Sequence, residues 1–186
     1  PRWFLRYTCL THAKTPFVFM FERYTERSRR VIFFARYEAL QYGSPQIAPE
    51  HILLGLLRED KTLPSRFFPS RHNLSSEMLR RQIEERIAVR DRIPQSAELY
   101  LSAEAKKALF YANEESRALK SRHIGPEHIL LGILREENSI AADVLFQHGL
   151  QAQDVRDELI RRSASEGIFT PVKEGNSRMP GLDEFT

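Results

Sequence analysis

The 186-residue sequence predicts an all-α fold, made by tandem duplication of a four-helix unit into a pseudo-twofold domain of eight helices. Three observations carry that prediction. The stretch "IAPEHILLGLLRE" (Ile47 to Glu59) returns as "IGPEHILLGILRE" (Ile124 to Glu136), identical at 11 of 13 positions and displaced by 77 residues. Apolar residues recur at helical spacing in both halves, and no segment shows the two-residue alternation of a half-buried strand.

At an offset of 77, Phe33 matches Phe110, Ala35 matches Ala112, Glu38 matches Glu115 and Ser44 matches Ser121. After a one-residue gap, "HNL" (His72 to Leu74) matches "HGL" (His148 to Leu150), Arg80 matches Arg156 and Arg86 matches Arg162. The two copies therefore run over about 24–90 and 101–162, within a domain spanning 20–163.

In the first helix of each copy, Val31, Ala35, Ala39 and Tyr42 share one face, as do Ala108, Ala112, Ser116 and Leu119. The small side chains permit close helix packing. Thr25 and Ser102 precede these helices, where a hydroxyl can cap free N–H groups. Gly43 ends the first of them. The second helix starts at Pro49 in one copy and Pro126 in the other, since a missing N–H costs nothing in a first turn. Its broad apolar face (Ile52, Leu53, Leu56, Leu57) belongs in a core. Gly55 and Gly132 sit mid-helix at a cost of about 1 kcal/mol relative to alanine, which predicts a tight helix crossing there. A third helix is clear in Ser139 to Gly149 but compromised in the first copy by Pro64 and Pro69. The fourth helices are expected near 75–90 and 152–163.

Two segments lie outside the duplication. The first 19 residues are basic and aromatic-rich, contain no acids and precede Met20. They are expected to be extraneous to the fold, with translation starting at Met20. Residues 164–186 are rich in Gly, Pro and Ser and read as a flexible linker.

Net charge is +3, and basic residues are interspersed with acidic ones, as in "EMLRRQIEER". That pattern describes solvated helix faces rather than a nucleic-acid surface. No apolar run approaches the roughly 20 residues needed to span a membrane. Cys9 is the only cysteine, so no internal disulfide exists and a reducing, cytoplasmic compartment is expected. The chain has no GxxxxGK[ST] phosphate loop and no GxSxG nucleophile elbow, so neither an enzyme nor a cofactor is expected from these residues. His51 and His128 are read as packed or helix-capping residues, because a zinc site needs three or four convergent ligands. Phe33 recurs as Phe110 and reads as structural. Tyr37 becomes Glu114, so it either faces a partner or packs on the amino-terminal extension.

The segment "MFERYTERSRRVIFFARYEA" (Met20 to Ala39), the doubled "PEHILLG" and the duplication itself resemble the N-terminal domain of the Clp unfoldases, the ClpC type in particular. The tail "PGLDEFT" looks like the segment leading into the first ATPase domain of such proteins. The resemblance implies a module that receives client and adaptor proteins for a Clp ATPase and peptidase complex. It also implies two pseudo-symmetric phosphoarginine pockets in which Glu50 and Glu127 hold the guanidinium. A carboxylate pairs bidentately with that planar fork, and a helix start bearing Thr25 or Ser102 could hold the phosphate. Pro49 and Pro126 stand where the family commonly has threonine. Each Glu also complements the dipole at its own helix start, worth about 0.3–1 kcal/mol without any ligand. The alternatives are a free-standing accessory protein that docks on the Clp protease core, and a helical nucleic-acid-binding domain using the arginines.

Overall fold

The computed structural model describes residues 22–68 and 74–165. The expectations for 1–19, for Cys9, for Pro69, for the His72–Asn73 pairing and for nearly all of the 164–186 linker lie outside those residues. The first half contains α1 (Glu26–Gln41), β1 (Gln46–Ile47), α2 (Pro49–Glu59), α3 (Leu63–Phe67) and α4 (Ser76–Glu84). The second repeats the four helices as α5 (Ala103–Ala118), α6 (Pro126–Arg135), α7 (Ile140–Gln147) and α8 (Ala152–Ser165), but its strand, β2 (Tyr100–Leu101), comes before the first of them instead of after it. The tandem all-α duplication is thus the architecture.

The core follows from the apolar helices α2 and α6, which are buried along most of their length and pack on each other across the pseudo-twofold. Each crosses the first helix of its own half, α2 on α1 and α6 on α5. The mid-helix glycines explain how close those crossings come. A Cβ on Gly55 would lie 2.5 Å from the Val31 carbonyl oxygen, and one on Gly132 would come closer still to that of Ala108. Backbone meets backbone at both points, so only glycine fits.

The first helices start as their sequence indicates. The Ser28 N–H donates to Thr25 Oγ1 (3.2 Å) and the Ala105 N–H donates to Ser102 Oγ (3.1 Å). Gly43 has φ 65° at the end of α1, and its counterpart Lys120 adopts φ 54° at the end of α5.

Four features depart from expectation. First, α3 forms despite Pro64, because that proline falls in the first turn, where its ring meets no preceding helical carbonyl. Second, α4 stops at Glu84 instead of running to residue 90. The chain turns back onto the end of α1, where the Arg90 and Ile93 N–H groups donate to the carbonyls of Tyr42 and Leu40, both at 3.0 Å. Third, Phe33 and Phe110 are 39% and 53% exposed, so the pair is a surface feature and not part of the core.

The fourth is a short sheet. β1 pairs in parallel with β2, and the Ser102 N–H donates to the Ile47 carbonyl (2.9 Å). The pseudo-twofold mate of that contact is a parallel bridge between Tyr24 and Ile124, with the Thr25 N–H donating to the Ile124 carbonyl (3.1 Å). Each half therefore lends the residue before its first helix to the loop before the other half's second helix. Two-residue strands carry no periodicity, which is why the sequence hid them.

Each half also buries an equivalent glutamate between two arginines. Glu38 is 1% exposed and takes a two-point contact from Arg80 (3.2 and 2.6 Å) with Arg58 at 3.4 Å. Glu115 is 3% exposed and receives Arg156 (2.8 and 2.7 Å) and Arg135 (3.2 Å). Neighbouring cations hold the Glu115 carboxyl below the usual range, led by the hydrogen bond from Arg156. Such buried pairs are costly to break, because removing one partner strands the other.

Candidate functional site

The reciprocal strand contacts decide which sequence candidates meet. They bring the Ser102 start of α5 to the loop leading into α2, and the Thr25 start of α1 to the loop leading into α6. Glu50 thereby faces the second half and Glu127 the first. The carboxylate and hydroxyl at each junction come from different halves.

Helix starts fix both glutamates. Each lies in the first turn of its helix after a proline, and the histidine that follows completes the cap. The Ala48 N–H donates to His51 Nδ1 (3.0 Å), and the Gly125 N–H donates to His128 Nδ1 (2.9 Å). Accepting at Nδ1 leaves the proton on Nε2, which for His128 lies 3.2 Å from Ser121 Oγ. These histidines are structural caps. Among the described residues, no group of His, Cys, Asp or Glu has the arrangement of a metal site.

The hydroxyls are committed as well. Thr25 Oγ1 accepts from the Ser28 backbone and lies 3.0 Å from Ser28 Oγ. Ser102 caps α5 and hydrogen-bonds the Glu104 carboxylate, whose pKa falls below the usual range, chiefly through its own backbone N–H and then through Ser102.

The two glutamates differ sharply in electrostatics. Glu127 receives Arg66 Nη2 at 2.8 Å, and Arg66 Nη1 reaches Asp60 Oδ2, also at 2.8 Å. Arg27 adds positive charge beside Glu127 and contacts Asp60 at 3.3 Å. Burial pushes the Glu127 pKa up, but the Arg66 hydrogen bond and the helix start outweigh it, and the net shift is downward. Glu50 is half-buried and has no ion pair among the described residues. Burial raises its pKa, and the nearby Glu104 raises it further.

The offset of 77 explains the difference. Arg27 corresponds to Glu104, and Arg66, in the third helix, corresponds to the exposed Asp143. Both positions that supply cations beside Glu127 hold acids in the other copy, and one of these, Glu104, bears on Glu50. Sequence reasoning missed Arg27, Arg66 and Glu104, although charge reversal at equivalent positions of a repeat was visible.

Tyr37 is half-buried beneath Arg58, whose guanidinium carbon lies 4.7 Å from its ring centre and 4.8 Å from that of Phe34. It lines an open cleft of about 480 Å³ shared with Arg58, Arg80 and Arg90. In the second half, Glu114 takes its place and pairs with Arg135 at 3.0 Å. Tyr37 meets Arg58 in the last turn of α2, at the opposite end of that helix from Glu50, and the amino-terminal extension lies outside the described residues.

A duplicated all-α domain with a capped carboxylate seat at each junction between its halves is the class that this geometry defines. The chain belongs to the Clp repeat (R) N-terminal domain family, whose model matches residues 23–148. It is 33% identical over 168 residues to the negative regulator of genetic competence ClpC/MecB of Bacillus subtilis, covering 89% of this chain and 20% of that protein. The N-terminal domain of the chaperone ClpD from Arabidopsis thaliana superposes with a TM-score of 0.60 at 25% identity, covering 77% of this chain and 96% of that one. The Hsp104 N-terminal domain of Candida albicans shares the fold, with a TM-score of 0.60 at 20% identity over 76% of this chain and 92% of that one. The chain spans about a fifth of the length of the curated relatives it matches. Among the described residues, no helix is long and apolar enough to cross a membrane.

Proposed function

We propose that the domain is the client- and adaptor-recognition module of a Clp-type ATP-dependent unfoldase system, acting by noncovalent binding. Family membership supplies the context, and one observation carries the local reading. Glu50 is a partly desolvated carboxylate fixed at a rigid helix start, with no cation of its own. A partly desolvated carboxylate with only its own helix-start N–H as a partner costs stability and is relieved by a cationic group arriving from outside. A protein's arginine or lysine side chain provides one. Phosphoarginine is the second reading, favoured by the fit between a carboxylate and a planar guanidinium at Glu50.

The test uses the full 186-residue chain and fluorescently labelled β-casein as an unfolded client, with binding followed by anisotropy. Saturable binding that falls severalfold on Glu50→Gln supports the reading. Unchanged binding removes Glu50 from the mechanism while leaving the module. No binding of casein, or of any purified Clp adaptor, overturns the module itself.

A further inference from the structure

Arg58 and Arg135 occupy the same place in the two halves, in the last turn of α2 and of α6. Arg135 has three partners. Its guanidinium carbon lies 4.4 Å from the centre of the Tyr111 ring, Nη1 reaches the buried Glu115 at 3.2 Å, and Nη2 reaches Glu114 at 3.0 Å. Arg58 repeats two of these contacts, resting on Phe34, the counterpart of Tyr111, and reaching the buried Glu38 through Nη1 at 3.4 Å. The third is missing, because Tyr37 stands where Glu114 does and adds a ring face instead of a carboxylate. Nε and Nη2 of Arg58 have no hydrogen-bond partner among the described residues. Together they form an edge of the fork that can grip a carboxylate by two parallel bonds.

The surroundings reinforce that preference. The cleft that Arg58 borders, about 480 Å³, falls in the range of ordinary ligand pockets and carries Arg90 and Arg92 on its wall. Both belong to the strap that leaves α4 and returns over the end of α1. Their side chains are exposed and make no ion pair among the described residues. Arg80, in the same wall, is already bonded to Glu38 and Glu84. At the positions matching Arg90 and Arg92 the second half has Glu166 and Ile168. We propose that this cleft docks an acidic segment of a partner protein, with one carboxylate on the free edge of Arg58 beside Tyr37 and its neighbours on Arg90 and Arg92.

This site is separate from the Glu50 reading, since it lies at the other end of α2 and takes a ligand of opposite charge. Glu114 on Arg135 is the same contact as the chain makes it for itself. A protein segment fits better than a nucleic acid. The cations are confined to one cleft, interrupted by Asp91 and bordered by Glu84 on Tyr42, whereas a phosphate backbone follows an extended basic stripe.

The experiment titrates a tetraglutamate peptide carrying a neutral dye into the full chain. Anisotropy gives the affinity, and the Arg58 Nε–H resonance is followed by NMR. The expected result is saturable binding that moves that resonance and weakens severalfold between about 0.05 M and about 0.2 M salt. Joint Arg90→Gln and Arg92→Gln substitution, on the surface, weakens it about fivefold. Tyr37→Glu, which puts a carboxylate where the second half has Glu114, weakens it about tenfold by filling the Arg58 edge from within.

Equal binding of a tetraserine peptide with the same dye overturns the charge assignment. Binding that leaves the Arg58 resonance unmoved, or that persists undiminished in the folded double arginine variant, overturns the site. An oligothymidine strand that binds more tightly, with the same dependence on Arg90 and Arg92, overturns the protein occupant. If tetraglutamate does not bind while β-casein still does, the proposal ends and the recognition reading stands. If tetraglutamate binds here while neither casein nor any purified Clp adaptor does, the cleft stands and the recognition reading ends.

Discussion

Replacing Gly55 with alanine sets two opposed effects against each other at a single atom. In a solvent-facing helix the change would stabilise by about 1 kcal/mol, because glycine loses more backbone freedom on folding. Here the added Cβ would lie 2.5 Å from the Val31 carbonyl oxygen and 2.9 Å from the Ala35 nitrogen. Restoring an ordinary contact requires a shift of roughly 1 Å between α1 and α2. Both obstacles are backbone atoms of residues with no exposed surface, so no side chain can swing aside. Overpacking of this kind costs up to about 3 kcal/mol. The net expectation is a loss of about 2 kcal/mol, or about 4–8 °C in Tm for a domain of this size. Gly132→Ala should lose more, since its Cβ would approach the Ala108 carbonyl more closely than Gly55's approaches Val31. Urea denaturation followed by far-ultraviolet circular dichroism measures both. Stabilisation by either variant would refute the claim that these glycines exist for close helix approach.

Two further outcomes follow from the same structure. Lys120 holds φ 54° at the end of α5, where its counterpart Gly43 holds φ 65°, so Lys120→Gly should stabilise by about 1 kcal/mol. An unchanged or lowered denaturation midpoint would show that the left-handed conformation carries no penalty there. Burial pushes the His51 pKa down from 6.5 to about 4, so between those values the unfolded chain binds the extra proton. Its contribution to stability is complete above pH 6.5 and falls away as the pH drops toward 4, amounting to a loss of about 2 kcal/mol by pH 5. His128 shifts in the same direction, whereas the raised Glu50 pKa works the opposite way, adding stability as its carboxylate protonates. Stability measured at pH 7 and pH 5 should therefore diverge less in a His51→Gln variant than in the parent, and an equal difference would contradict the assignment.

The sequence made the helices readable because their burial follows a 3.6-residue rhythm. Val31, Ala35 and Ala39 recur as Ala108, Ala112 and Ser116, and all six are buried. The capping hydroxyls of Thr25 and Ser102 were equally plain, since capping is a local event within three residues. What escaped was interaction over distance. The bridge from Tyr24 to Ile124 joins residues whose proximity depends on the whole fold. Arg66 was hidden differently. It lies where the first copy departs from the second, in the stretch read only as a helix weakened by prolines. The contrast between Arg66 and Asp143 was in plain view at the offset, but a charge reversal acquires meaning only when the carboxylate opposite is known. Phe33 misled because its recurrence as Phe110 suggested shared packing, whereas both lie on the surface.

The reciprocal bridges bear on how such a domain could have originated. A chain holding a single copy would carry a residue ahead of its first helix with nothing to pair against, and a loop ahead of its second helix awaiting the same kind of strand. Its own mate could supply both, since the exchange is symmetric: each half gives what it receives. Two separate copies would close the contacts as a twofold homodimer. Fusing them end to end makes that association intramolecular and independent of concentration. In the fused chain the halves need not match, and they do not: Arg66 of the first stands where the second has Asp143.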